Sequence, residues 1–432
     1  MSQIISKQIV ICFEPNSQSR LQIKDQEKQI LDQLLDKNKY DTRIVPVGVD
    51  ANGTQGPVVV NTNIYIRSIE YICTKKNEWK VQITFRQKWN DQRLKYDDRV
   101  GKIKYLSLED KEDIWIPDTF FSNARESEAQ ADIKPNTLIR IYPNGNVLFS
   151  IRLVETLACP MDLKHYPFDT QTCAIQMASY GFTTEDLVFE WKEEDPVQVT
   201  RQLALHEFSL DSYQTNYCTS KTNTGEYSCI KAEFQFSRHS SKYGCQWFLP
   251  TAVLTFIAFV SFWLKPDKCS RIRLLVVTLL LLYLHVLYIN AKSSSTVSYH
   301  TAKDCWTSTC LLFVLAAFLE YGIVRLVHKY TKHSAKSCLD SSECKNGKTV
   351  NNCEEGDAVA LKPLVDEGQE KGEKGEEAKE YTVNEVVNRR NYVQKWRQSS
   401  LASQIDYLSA ILFPFLFVIY IIVFFSYQTF KD

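Results

Sequence analysis

The sequence has no surplus of charge of either sign: 51 Lys and Arg face 51 Asp and Glu over 432 residues, a formal net charge of zero. A nucleic-acid binder ordinarily shows a basic excess or patch, so the balance argues against a nucleic-acid partner. Catalytic signatures are missing as well. There is no His-Glu-x-x-His and no Gly-x-Ser-x-Gly. "NGKT" (346–349) ends like a phosphate loop, but Ser342 stands where the upstream glycine is required. Cys338, Cys344 and Cys353 lack zinc-ligand spacing. No enzyme, cofactor or metal is expected. A good secretory leader is lacking too: in "MSQIISKQIVICFEP" the apolar region is short and is broken by Lys7 and Gln8, so an atypical signal or a start further upstream is expected.

What the second half does have is long apolar runs. They are Trp247–Leu264, Ser270–Ile289, Cys305–Val327 and Tyr407–Phe425. Each approaches the ~20 residues needed to cross ~30 Å of hydrocarbon. Lys265, Lys268, Arg271 and Arg273 join the first two runs. Arg325, His328, Lys329, Lys332, Arg389, Arg390, Lys395 and Arg397 flank the long link before the last. The positive-inside rule puts both links in the cytoplasm and the N-terminal part outside. Thirteen cysteines include Cys159, Cys173, Cys218 and Cys229 in that outer part, where disulfides persist. Asn52-Gly53-Thr54 is a glycosylation acceptor there.

The outer part reads as a β-sandwich. Residues 21–38 place Ile23, Ile30, Leu31, Leu34 and Leu35 at helical spacing. The period then becomes two: in "VQITFRQKW", Val81, Ile83 and Phe85 face one way and Gln82, Thr84 and Arg86 the other. Further short strands are expected at Val58–Ile66, Leu138–Tyr142, Val147–Val154, Cys173–Ser179 and Ser228–Phe236, with turns such as "YPNGN" (142–146) between them. The fold class is α+β, an extracellular sandwich followed by a four-helix membrane bundle. The domains are 1–244 (sandwich), 245–330 (three spans), 331–403 (a largely disordered cytoplasmic loop) and 404–432 (the last span and a short outer tail). "DEGQEKGEKGEEAKE" (366–380) supports the disorder, and 381–404 has the makings of a basic amphipathic helix.

One motif is specific. Cys159 to Cys173 reads "CPMDLKHYPFDTQTC", a compact loop stiffened by Pro160 and Pro167. A bridge across it stabilises by ~3 kcal/mol in the chain-entropy model. With Tyr-Pro-Phe-Asp before the second cysteine and four apolar runs downstream, the chain resembles the Cys-loop family of pentameric ligand-gated ion channels. "WIPDTFFSN" (115–123) is similar to the family's Trp-x-Pro-Asp segment, and "YCTSKTNTGEYSC" (217–229) carries the second cysteine pair of its glycine- and glutamate-gated anion branches. The best resemblance is to invertebrate glutamate-gated chloride channels, over roughly residues 21–330 and the last span.

The resemblance implies an L-glutamate site between two subunits of a homo- or hetero-pentamer in the plasma membrane at a synapse. It implies Arg67, Arg86 and Ser150 on one face, and Phe121, Ser179, Tyr180, Thr224 and Tyr227 on the other. It also implies the pairs Cys159–Cys173 and Cys218–Cys229. The chemistry suits a dicarboxylate amino acid: guanidinium forks match carboxylates, and aromatic faces attract an ammonium. Glycine or GABA would need only one carboxylate clamp.

The resemblance makes Ser270–Lys292 the pore-lining helix, with Arg271 at its cytoplasmic end and Leu280 as the gate leucine. The expected pore face reads Arg273, Val277, Leu280, Leu284 and Leu287, while Thr278, Tyr283 and His285 face neighbouring helices. Arg273 and Leu280 stand about 10 Å apart along the helix. With no acid nearby, chloride is the expected ion. Two departures stand out. Cys269-Ser270 replaces the usual Pro-Ala, and the pore face is apolar above Arg273. A non-conducting or regulatory subunit of a mixed pentamer is therefore the rival reading. Ser308 replaces the glycine that admits macrocyclic lactones.

Overall fold

The computed structural model describes residues 15–49, 53–97, 103–131, 134–264, 269–293, 297–342 and 401–429. Asn52, Lys265, Lys268, the leader-like residues 1–14, the charged tract 366–380 and the stretch 381–400 lie outside the described residues. The chain divides into two units, 1–240 with 294–301, and 241–293 with 302–432.

The first unit opens with helix α1 (Pro15–Leu34), which starts earlier and ends earlier than the 21–38 periodicity predicts. Ile23, Ile30, Leu31, Leu34 and Leu35 pack against the core as their spacing requires. Fourteen strands carry the domain besides a small ladder of Gly48–Val49 with Gln55–Gly56. In chain order they are β1 (Val58–Cys73), β2 (Glu78–Asn90), β3 (Leu106–Leu108), β4 (Thr119–Phe121), β5 (Ala124–Ala129), β6 (Thr137–Ile141) and β7 (Asn146–Ala158). Then follow β8 (Thr170–Ser179), β9 (Leu187–Trp191), β10 (Val197–Val199), β11 (Phe208–Tyr217), β12 (Ser220–Thr222), β13 (Gly225–Tyr227) and β14 (Cys229–Arg238). An eight-stranded sheet runs β9-β1-β2-β7-β6-β3, with β10 also on β1 and β5 also on β7. A four-stranded sheet runs β11-β14-β8-β4.

Period-two alternation explains the core. Val81, Ile83 and Phe85 of β2 are buried, and Trp79 at its start lies 5.5 Å from Phe234 and 5.7 Å from Phe236 of β14. Facing side chains from both sheets thus fill the space between them. Three strands outrun their expected ends, β1 by seven residues, β7 by four and β14 by two, because their ladders continue, whereas β8 ends at Ser179 as expected and β6 stops one residue short at Ile141. In the 142–146 turn Gly145 has φ +81°, and a Cβ there would sit 2.6 Å from the Asp91 carbonyl oxygen. Only glycine fits that close approach.

Both expected disulfides are present, Cys159–Cys173 with Cα atoms 5.0 Å apart and Cys218–Cys229 at 4.8 Å. At the foot of the sandwich Arg238 is buried. It donates from Nε to Asp169 Oδ1 at 2.7 Å and lies over the rings of Phe208 and Tyr166. Removing one member of such a buried pair costs more than its net contribution, because the other charge is left unpaired.

Among the described residues the second unit holds four helices long and apolar enough to span a bilayer. They are α2 (Ser241–Trp263), α3 (Cys269–Lys292), α4 (Ala302–Ser342) and α5 (Leu401–Thr429). Three helix ends reach beyond the ranges expected from hydropathy. The first membrane helix begins at Ser241, inside the range 1–244, and α4 runs to Ser342 while α5 starts at Leu401, both inside 331–403. Backbone hydrogen bonding propagates past the last apolar residue, so hydropathy underestimates helix length. Trp306 of α4 knits the bundle. It donates from Nε1 to Thr251 Oγ1 of α2 at 2.8 Å and sits 5.1 Å from Phe424 and 5.8 Å from Tyr420 of α5.

One carboxyl in the sandwich is out of character. Glu155 of β7 is fully buried between Leu153 and Leu157 on the core side. Its Oε1 accepts from the Ser127 hydroxyl, and its Oε2 has no partner. Burial pushes it up to about 7, the Ser127 bond pulling the other way more weakly. The folded state therefore retains a proton that the unfolded chain has already lost, and stability falls as pH rises from about 4.5 to about 7, then levels off. Glu155→Gln removes this slope, read as the melting temperature of the solubilised protein across that window.

Candidate ligand site and pore helix

Strand register fixes the first group of site residues. Arg86 on β2 lies opposite Ser150 on β7 and opposite Asn63 on β1. Arg67 is exposed, as the alternation after the buried Ile64 and Ile66 requires, and stands at a break in the β1–β2 register between Ile66 and Ser68. Its Nε donates to Thr84 Oγ1 at 2.6 Å, and its guanidinium lies 5.5 Å from the centre of the Tyr65 ring. Arg86 donates from Nη1 to Asn63 Oδ1 at 2.9 Å and, at 3.4 Å, to Gln198 Oε1. The structure shows no bond from Arg86 Nε or Nη2, nor from either Nη of Arg67, to any described residue. Beside Arg86 opens a cavity of about 760 Å³, lined by Asn61, Asn63, Lys88, Glu190, Trp191 and Gln198 among others.

The second group gathers on the other sheet. β12 and β13 form a hairpin whose base is clamped by Cys218–Cys229. At its tip Tyr227 donates its hydroxyl to Thr224 Oγ1 at 3.0 Å, and the Thr224 and Thr222 hydroxyls are 2.9 Å apart. Gly225 has φ +149°, and a Cβ there would meet the Thr183 methyl at 2.8 Å. The loop after β8 is tied to this hairpin by Ser179 N–H to Ser228 O and by Thr184 N–H to Glu226 O. Tyr180 then projects into the open, 80% exposed.

Two positions differ from expectation. Ser179 is buried, and its hydroxyl is spent locally: it donates to Asp118 Oδ1 at 2.7 Å and accepts from Phe182 N–H at 3.0 Å. Asp118 Oδ2 also takes the N–H groups of Tyr180 and Gly181. The Ser179 side chain thus shapes the loop and is not presented to a ligand. Phe121 leans inward, 5.6 Å from the core ring of Phe85. Phe120 is the exposed member of the pair, edge-on to Tyr180 at 5.7 Å. Sequence reasoning missed Phe120. No local signal separates the two rings; the pairing of Phe121 with the fully buried Met177 is what turns Phe121 inward.

Among the described residues no hydrogen bond joins the arginine group to the hairpin group. They stand on different sheets, linked through the core by Phe85 and Phe121.

Helix α3 has two faces. Arg271, Leu275, Thr278, Leu282, Val286 and Ile289 are buried at steps of three and four. Arg273, Val277, Leu280, Leu284 and Leu287 are exposed together on the other side, Leu280 at 55%. Thr278 faces the bundle as expected. Tyr283 is half exposed within its own chain, because the inward stripe falls on Leu282 and Val286.

The model of the neurotransmitter-gated ion-channel ligand binding domain matches residues 27–240, and that of the neurotransmitter-gated ion-channel transmembrane region matches 247–340. A glutamate-gated chloride channel from Drosophila melanogaster is 41% identical over 431 aligned residues, covering 96% of this chain and 94% of its own. The chain belongs to the neurotransmitter-gated ion-channel family. It is accordingly a membrane protein with an extracellular ligand-binding domain, and the family is one of channels, not of enzymes.

For a channel subunit the placement of Arg271 is a correction. It was expected at the pore, yet it is fully buried in the bundle. Its Nη2 donates to Glu320 Oε2 of α4 at 2.5 Å, and its Nη1 donates to Asp406 Oδ1 of α5 at 2.6 Å. Two carboxylates from neighbouring helices outbid water for it, as hydrocarbon burial demands of any charge. Exposed cationic character at this end of α3 rests on Arg273. Arg271→Ala is therefore expected to strip the partner from two carboxylates, cost about 3–5 kcal/mol and lower surface delivery and melting temperature. Arg273→Ala is expected to spare both and instead weaken anion preference, seen as a shifted reversal potential in salt-dilution recordings.

Proposed function

We propose that this chain is a subunit of a pentameric glutamate-gated chloride channel in the postsynaptic plasma membrane. The observation that carries the reading is the pair of guanidiniums, Arg67 and Arg86, each keeping N–H groups without a protein partner on one strand face, with the Ser150 hydroxyl alongside. Paired forks of fixed charge suit a ligand with two carboxylates. Tyr180, Tyr227 and the newly found Phe120 supply aromatic faces for its ammonium, from the second sheet of an adjacent subunit. The name of the Drosophila relative agrees with this ligand and ion.

A chloride pathway follows from the exposed face of α3. Arg273 presents positive charge at the inner end, and Leu280 forms a ring that blocks ions by dewetting when closed. The same face favours a second reading. Val277, Leu280, Leu284 and Leu287 are all exposed and all apolar, so a ring of five such helices hydrates poorly. In that case the chain binds glutamate but conducts only beside a more polar relative. Ser308 is exposed on α4, and its added bulk is expected to reduce sensitivity to macrocyclic lactones.

Voltage clamp of cells expressing the chain alone, with surface delivery verified, tests the proposal. Glutamate currents reversing at the chloride potential support a homomeric channel. Silence with intact glutamate binding supports the regulatory reading, and no glutamate binding refutes both. Arg67→Ala or Arg86→Ala is expected to weaken glutamate binding roughly 10- to 100-fold, the range of one charge-assisted hydrogen-bonded contact.

A further inference from the structure

We propose that Asn63 is a positioning residue that holds the Arg86 guanidinium for the ligand and ties it to the loop leading into β10. The inference rests on the reading that Arg86 takes a ligand carboxylate. Asn63 is buried at 7% exposure on β1, directly opposite Arg86. Its amide nitrogen donates to the carbonyl oxygens of Asp195 at 2.6 Å and Pro196 at 3.1 Å. Its amide oxygen accepts from Arg86 Nη1 at 2.9 Å. Both amide hydrogens and the oxygen are therefore engaged, which fixes the orientation of the amide plane. Flipped, it would set its NH₂ against the guanidinium and its oxygen against two carbonyls.

The consequence for Arg86 is geometric. A guanidinium is planar, so anchoring Nη1 sets the direction of Nη2 and Nε, the edge left for a ligand. Gln198 adds a second, longer hold on the same Nη1. It comes from β10, which runs parallel to β1 with Gln198 opposite Tyr65. The loop before β10 reaches this position through Asp195, whose φ is +51°, and Pro196, whose carbonyl also accepts Ile64 N–H. Residues 195–198 and Arg86 are thus one assembly with Asn63 at its centre. Only an amide serves here: aspartate lacks the two donors and leucine lacks all three groups.

The test is a double-mutant cycle on full-length chain in membranes, with glutamate affinity read by radioligand binding and normalised to surface protein. Asn63→Ala in the native background is expected to weaken glutamate binding about tenfold. In an Arg86→Ala background it is expected to change affinity by less than about twofold, because no guanidinium remains to be held. Equal losses in both backgrounds, or no loss in the native one, overturn the inference. If Arg86→Ala itself leaves glutamate affinity unchanged, the site reading fails and takes the inference with it. Should Asn63→Ala not reach the surface, Gln198→Leu serves in its place. It removes the longer hold without touching the buried amide. A loss of two- to threefold that vanishes in the Arg86→Ala background supports the assembly, and an uncoupled result refutes it.

Discussion

The antiparallel register of β2 against β7 is the constraint on which the extracellular unit depends. It sets Val81, Ile83 and Phe85 into the core and in the same stroke turns Arg86 and Ser150 to the opposite face. Because side chains alternate with period two, a slip of one residue would exchange the faces. It would turn the cations Lys80, Arg86 and Lys88 of β2 toward the core and expose a row of large apolar residues. The energetic demand of the core and the presentation of a recognition surface are therefore one requirement. The ladder also carries its own exception in Glu155, a carboxyl on the apolar side whose ionisation the fold opposes.

Much of this was legible in the chain. Alternation in "VQITFRQKW" gave the faces of β2, and the Cys159–Cys173 segment with four apolar runs gave the family. Residues whose placement follows from periodicity landed as expected, such as Leu31, Leu34 and Leu35, which pack against the core. What escaped was whatever depends on a distant partner. Nothing local to Arg271 announces that Glu320 and Asp406, 49 and 135 residues away, will claim it. Nor does "MASYG" reveal that Asp118 already holds the Ser179 hydroxyl. Phe120 and Phe121 are identical neighbours in sequence. Only pairing with Met177 decides which of them looks outward.

The two candidate ligand surfaces differ in how they are held. The arginine side is built on long central strands, each guanidinium braced by a neutral partner that leaves its charge intact. The aromatic side is built on a short hairpin closed by a disulfide, with threonine and tyrosine hydroxyls bonded to one another at its tip. One side is rigid because it belongs to a sheet. The other is ordered by the disulfide and by local bonds, and two backbone hydrogen bonds tie it to the loop after β8. Such a division suits a site that must recognise a ligand and also register its arrival.

Helix α3 separates the residues that hold the subunit together from those that meet the outside. Leu275, Leu282 and Ile289 are fully buried among neighbouring helices, and Arg271 is neutralised there. Val277, Leu280 and Leu284 contribute little to packing within their own chain. Selection can therefore rewrite the second set freely while the first stays under the discipline of folding. An apolar exposed face on α3 is thus a trait a lineage can acquire, or lose, without passing through an unfolded ancestor.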